Sequence, residues 1–165
     1  MSINKYKPHL LVLPEDDANR QIANGFLLDA NLNSRAIQVL PPAGGWKKAV
    51  EQFTDDYAAT MSELPRRMVV LVIDFDQREN RFEYMKNQIP THLKERVFVI
   101  GIQSEPERMK RQITGLNTFE EIGKALARDC YDNTDTVWGH ELLKHNKAEL
   151  DRMMLSVKPF LFADA

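Results

Sequence analysis

Two stretches of this chain, Met68 to Ile73 (MVVLVI) and Val97 to Ile102 (VFVIGI), are apolar without any polar alternation. A strand with one wet face alternates apolar and polar residues. An unbroken apolar run belongs to a strand covered on both faces, as in a parallel sheet between helical layers. HLLVLP, from His9 to Pro14, has the same character. Two of these three runs end in acid: Glu15-Asp16-Asp17 follows HLLVLP, and Asp74-Phe75-Asp76 follows MVVLVI. Carboxylates at the ends of parallel strands collect on one sheet edge, the edge at which open α/β folds hold ligands.

The segments between the runs read as helices. Ala18, Ile22, Phe26 and Ala30 repeat every four residues and predict a helix from about 18 to 30, with Asp16 or Asp17 placed to cap its start. Ala36 to Leu40 is a short strand candidate, and Pro41-Pro42-Ala43-Gly44-Gly45 is a loop. A long helix is expected from Trp46 to Leu64, stopped by Pro65, and a shorter one from Arg78 to Gln88. Beyond the fourth strand, Ser104, Pro106 and Glu107 have the spacing of a capped helix start. Thr118 to Cys130 and Gly139 to Val157 complete the helical reading, with no further strand. The order β-α-β-α-β-α-β followed by helices predicts an α/β fold: a parallel four-stranded sheet with helices on both faces and a helical C-terminal extension. With 165 residues, 43% of them hydrophobic, a single domain is expected, an α/β core over 8–105 and the extension over 106–165. The apolar tail Met153-Met154-Leu155, Val157 and Phe160-Leu161-Phe162 is expected to pack on the core or to form a dimer contact.

The net charge is −2, so attraction to nucleic acid has to come from a local basic patch. Cys130 is the only cysteine, which excludes an intrachain disulfide and fits a reducing compartment. The start of the chain lacks the pattern of an export signal, and no run approaches the roughly 20 apolar residues of a membrane span. A soluble cytoplasmic protein with no membrane partner is expected.

Adjacent strands lie about 4.8 Å apart, so acids after the first and third strands come within reach of one cation if those strands are neighbours. An Asp-x-Asp spacing on extended backbone presents Asp74 and Asp76 on one side and turns Phe75 away. Crowded carboxylates repel and shift toward protonation unless a cation such as Mg²⁺ or Mn²⁺ relieves them. Asp74, Asp76, Glu15 and Asp17 are the candidate metal ligands. Lys47 and Lys48 after the Pro-Gly loop, Arg78, and Arg108, Lys110 and Arg111 beyond the fourth strand are the candidate nucleic-acid contacts. His140 and His145 do not make a zinc pair, because five residues separate them by about 140° around a helix.

A glutamate after the first strand and Asp-x-Asp after the third, in a β-α-β-α-β-α-β chain, resembles the TOPRIM domain of topoisomerases, bacterial primases, recombination-repair proteins and OLD-type nucleases. The resemblance covers about residues 8–105. It implies a catalytic general acid/base at Glu15, a magnesium-binding pair at Asp74 and Asp76, and strand cleavage, joining or nucleotidyl transfer on nucleic acid. Asp16 stands where many members carry glycine, and Arg78 where some carry a further acid. The leading expectation is a Mg²⁺-dependent phosphoryl-transfer enzyme, a nuclease. A second is a non-catalytic TOPRIM-like module that assembles with a protein partner or as a homodimer. A third is a receiver-like signalling domain, with Asp74 as phosphoacceptor, Asp16 and Asp17 as magnesium ligands and Ser104 after strand four. That reading requires a fifth strand followed by lysine, and the sequence offers none.

Overall fold

The structure is a computed structural model, and it describes residues 2–162. Four strands, β1 (His9–Pro14), β2 (Ile37–Val39), β3 (Arg67–Asp74) and β4 (Val97–Ile102), form one sheet in the order β2-β1-β3-β4. Every pairing is parallel, with Leu13 opposite Leu71 and Ile73 opposite Gly101. The unalternating runs are buried on both faces, as their composition requires. Leu11, Leu13, Val69, Leu71 and Ile73 face one core with Phe53, Met61, Met85 and Leu93. Leu10, Val12, Val70 and Phe98 face the other with Ile37, Cys130, Val157 and Leu161.

The helices are α1 (Asp17–Phe26), α2 (Trp46–Gln52), α3 (Ala58–Glu63), α4 (Glu79–Gln88), α5 (Pro106–Gln112), α6 (Phe119–Asp132), α7 (Lys147–Ser156) and α8 (Lys158–Leu161). Several depart from expectation for identifiable reasons. The helix expected to reach residue 30 ends at Phe26, because Asp29 is buried and its carboxylate accepts the N–H of Asn31 in a turn. The long helix from Trp46 is interrupted by a π-helical turn, Phe53–Tyr57, which links α2 to α3 and leaves both Phe53 and Met61 fully buried. The helix expected from Gly139 begins only at Lys147, after turns and a 3₁₀ segment, Lys144–Asn146. Glu105, not Ser104, holds the N-cap position of α5, without a side-chain cap. Thr118 caps α6 as its spacing predicts, accepting the N–H of Glu121 at 3.1 Å.

No fifth strand pairs with β4 among the described residues. Side chains of the C-terminal helices close that edge instead. The Asn146 amide pairs with both backbone groups of Gly101, at 3.0 Å to its N–H and 2.8 Å to its carbonyl. Glu149 Oε1 accepts the Val99 N–H at 3.1 Å, and the Gln103 N–H donates to the Leu142 carbonyl. An uncovered strand edge templates aggregation, and this clasp removes it. Most of the apolar tail packs within its own chain: Met153, Met154, Val157, Phe160, Leu161 and Phe162 join the α1–α6 side of the core, while Leu155 stays exposed. The expected extension runs to residue 165, of which 163–165 lie outside the described residues. No helix among the described residues is long and apolar enough to cross a membrane.

Candidate metal centre

The β1–β3 register places the acids. Pro14 lies opposite Val72, and continuing that register for two residues sets Asp16 opposite Asp74. Glu15 remains strand-like, its N–H donating to the Val72 carbonyl at 2.8 Å, and its Oε1 accepts the Asp74 N–H at 3.2 Å. Asp16 then turns the chain into α1 as its N-cap, accepting the Asn19 N–H at 3.0 Å. One carboxylate oxygen from each of Glu15, Asp16 and Asp74 lies within 4.8 Å of the others. Metal–oxygen distances near 2.1 Å put ligand pairs on one ion at separations up to about 4.2 Å, so a small side-chain adjustment brings all three onto one cation.

The electrostatics are those of a crowded acid site. Burial pushes the Asp74 carboxyl up from an ordinary 3.8 to about 8, opposed by the Asn19 hydrogen bond and reinforced by the charges of Asp16 and Glu15. Burial also raises Glu15, while the Asp74 N–H works against the rise. Asn19, fully buried, donates its amide to Asp74 Oδ1 at 3.0 Å. Its own Oδ1 is buried without a hydrogen-bond partner among the described residues.

The loop after β2 and the start of α4 form the surround. The N–H groups of Gly44 and Gly45 donate to the Glu15 carbonyl at 2.8 and 3.2 Å. Gly44 reaches it with φ at 93°, a backbone region that side chains resist. Lys47 and Lys48 follow in the first turn of α2, both exposed. Arg81, on α4, donates from Nη1 to the Asp74 carbonyl at 2.6 Å, and its charge acts on Glu15 to lower its pKa. Its Nε is buried without a partner among the described residues.

The remaining predicted residues stand elsewhere. Asp76 is not beside Asp74 on extended backbone: β3 ends at Asp74, and Asp76 and Gln77 adopt φ of 51° and 57°. The chain is turned there because the Gln77 N–H bonds the Gln103 carbonyl and the Arg78 N–H bonds Phe75. Asp76 is exposed and faces Arg78 and Arg81 at 4.0 and 3.9 Å. Asp17, in the first turn of α1, is exposed and engaged by Arg20 and Gln21. Arg78 is exposed next to the acidic loop. Arg108, Lys110 and Arg111 lie on α5, and Lys110 rests over the Phe119 ring at 4.5 Å. Among the described residues no hydrogen bond or ion pair joins these three to the acidic cluster.

From the sequence Asp16 reads as a cap and as a receiver-type ligand, whereas Asn19 and Arg81 enter only with the tertiary structure. One signal for Asn19 was present: it is a polar residue next to Ala18 on the apolar face of α1, three residues after the cap. Compared with known protein families, curated proteins and solved structures, the chain matches none.

Proposed function

We propose that this chain is a Mg²⁺- or Mn²⁺-dependent phosphoryl-transfer enzyme acting on nucleic acid, a nuclease of TOPRIM-like type. The observation that carries the reading is the convergence of Glu15, Asp16 and Asp74 within 4.8 Å at the carboxyl edge of a parallel sheet. A hard cation with oxygen ligands suits such a set, and it would relieve a carboxyl that burial and the neighbouring charges of Asp16 and Glu15 push up to about 8. The TOPRIM-like assignment is supported by a glutamate after β1 and an aspartate after β3 in an all-parallel α/β fold.

Glu15, Asp16 and Asp74 would hold the cation. When bound, it would stabilise the attacking and leaving oxygens of an in-line displacement at phosphorus. Glu15 Oε1 is engaged by the Asp74 N–H, which leaves Oε2 to accept a proton from the attacking water. Lys47, Lys48 and Arg78 are exposed around the acidic edge and would steady the phosphate backbone.

The test is Mn²⁺ binding by electron paramagnetic resonance, paired with cleavage of single- and double-stranded DNA and RNA in Mg²⁺ or Mn²⁺. Asp74→Asn is expected to lose both while keeping its fold. Undiminished cleavage by that variant rejects the site. Metal binding without cleavage of any substrate moves the chain to the non-catalytic, partner-assembling class.

A further inference from the structure

Beside the acidic cluster stands a wall of aromatic and cationic side chains that the metal chemistry leaves unused. Trp46 opens α2, and its ring meets Tyr84 of α4 edge to face, with centroids 5.5 Å apart at 83°. The Arg81 guanidinium lies 4.7 Å from the Trp46 ring centre, and Lys47 Nζ lies 5.4 Å from it. The same Arg81 donates to the Asp74 carbonyl, so one side chain spans from the acids to the aromatic wall. Arg81 and Tyr84 stand three residues apart on α4, the spacing of neighbours on a helix surface, and Arg78 precedes them as its N-cap. The large apolar side chains exposed among the described residues are Tyr6, Leu28, Tyr84 and Leu155, and of these Tyr84 touches this wall. It keeps 42% of its surface in solvent.

We propose that the nucleic acid taken by this site is single-stranded and that a base stacks on Tyr84 while Lys47, Lys48 and Arg78 contact the flanking phosphates. The inference rests on the nucleic-acid reading above and narrows it. A duplex hides its base faces in the stack, whereas a single strand offers them to a ring, and interleaved rings and cations are what a sequence-tolerant single-strand platform needs. The overall charge of −2 adds no attraction, so the contact depends on this local cluster.

The probe is fluorescence anisotropy of labelled oligothymidylate against a labelled mixed-sequence DNA duplex. Ca²⁺ replaces Mg²⁺ to hold the complex uncleaved, and Mn²⁺ affinity is measured in parallel. Oligothymidylate is expected to bind more tightly than duplex. Tyr84→Ala is expected to weaken it roughly tenfold or more, the usual loss for one stacking ring, while Tyr84→Phe keeps wild-type affinity. Both variants should keep wild-type Mn²⁺ affinity. Duplex binding as tight as single-strand binding, or an unaffected Tyr84→Ala, overturns this inference and leaves the nuclease reading standing. A wild-type chain that takes Mn²⁺ but neither nucleic acid overturns both.

Discussion

The Asn19 side-chain amide donates to Asp74 Oδ1 at 3.0 Å, joining the first turn of α1 to the end of β3. Both residues are buried, and the bond opposes the burial that drives Asp74 toward its protonated form. Asn19 therefore orients the carboxylate that a cation would use. Asn19→Leu is expected to weaken Mn²⁺ binding by about tenfold or more, as outer partners of metal ligands do. Calorimetric titration checks it, and an unchanged affinity would remove Asn19 from the site.

The raised pKa of Asp74 predicts how stability varies with pH. The folded value of about 8 exceeds the ordinary 3.8, so between them the folded chain holds a proton that the unfolded chain has released. That stabilising contribution is complete below the lower value and is lost as pH rises toward the upper one. The direction at Glu15 is the same. The melting temperature should fall across this range, fall less in Asp74→Asn, and recover with Mg²⁺ if the proposed site holds the cation in the folded chain alone. A profile identical in wild type and Asp74→Asn would contradict the assignment.

Asp16 and Asp17 are adjacent yet should behave oppositely. Asp16 caps α1 and belongs to the cluster, whereas Asp17 is exposed against Arg20 and Gln21. Asp16→Asn keeps a capping side chain, so it should fold normally and lose Mn²⁺ affinity. Asp17→Ala and Asp76→Ala should keep that affinity. If Asp76→Ala loses it instead, the ligand set is the one read from the Asp-x-Asp spacing.

Helices α1 and α6 approach so closely that a Cβ on Gly123 would lie 1.8 Å from the Ile22 carbonyl oxygen. Backbone cannot give way as a flexible side chain does. Gly123→Ala should cost roughly 3 kcal/mol, at the upper end for overpacking, and should disturb the placement of Asn19 as α1 shifts. Urea denaturation measures the loss, and a wild-type midpoint would contradict this packing.

Glu149 closes the β4 edge while nearly buried. Burial works against its charge, but Lys86, Arg152 and the Val99 N–H outweigh it and hold the carboxyl below its ordinary value. Removing the carboxylate leaves Lys86 and the Val99 N–H unpaired. Glu149→Ala should destabilise the chain by about 3 kcal/mol and promote self-association through the bared edge. Denaturation and light scattering read the two effects separately.

The strands and their parallel arrangement were legible in the apolar runs themselves. MVVLVI and VFVIGI admit only a two-sided burial, and this property is local to the run. The sequence also put Glu15 and Asp74 at strand ends, because the break from apolar to acidic residues is written in the chain. The helix at Thr118 was legible for the same reason, since a cap and its partner lie three residues apart.

Tertiary structure alone decided which acids meet. Membership of the cluster depends on the β1–β3 register, which set Asp16 rather than Asp17 opposite Asp74, and on a left-handed turn that swung Asp76 outward. That turn is held by the Gln77 N–H on the Gln103 carbonyl across the sheet edge and by the Arg78 N–H on the Phe75 carbonyl. Asn19 and Arg81 reach Asp74 from α1 and α4, helices that flank the strand in space, so their role follows from packing rather than spacing. A contact between residues 55 apart in the chain carries no periodicity for a sequence pattern to reveal.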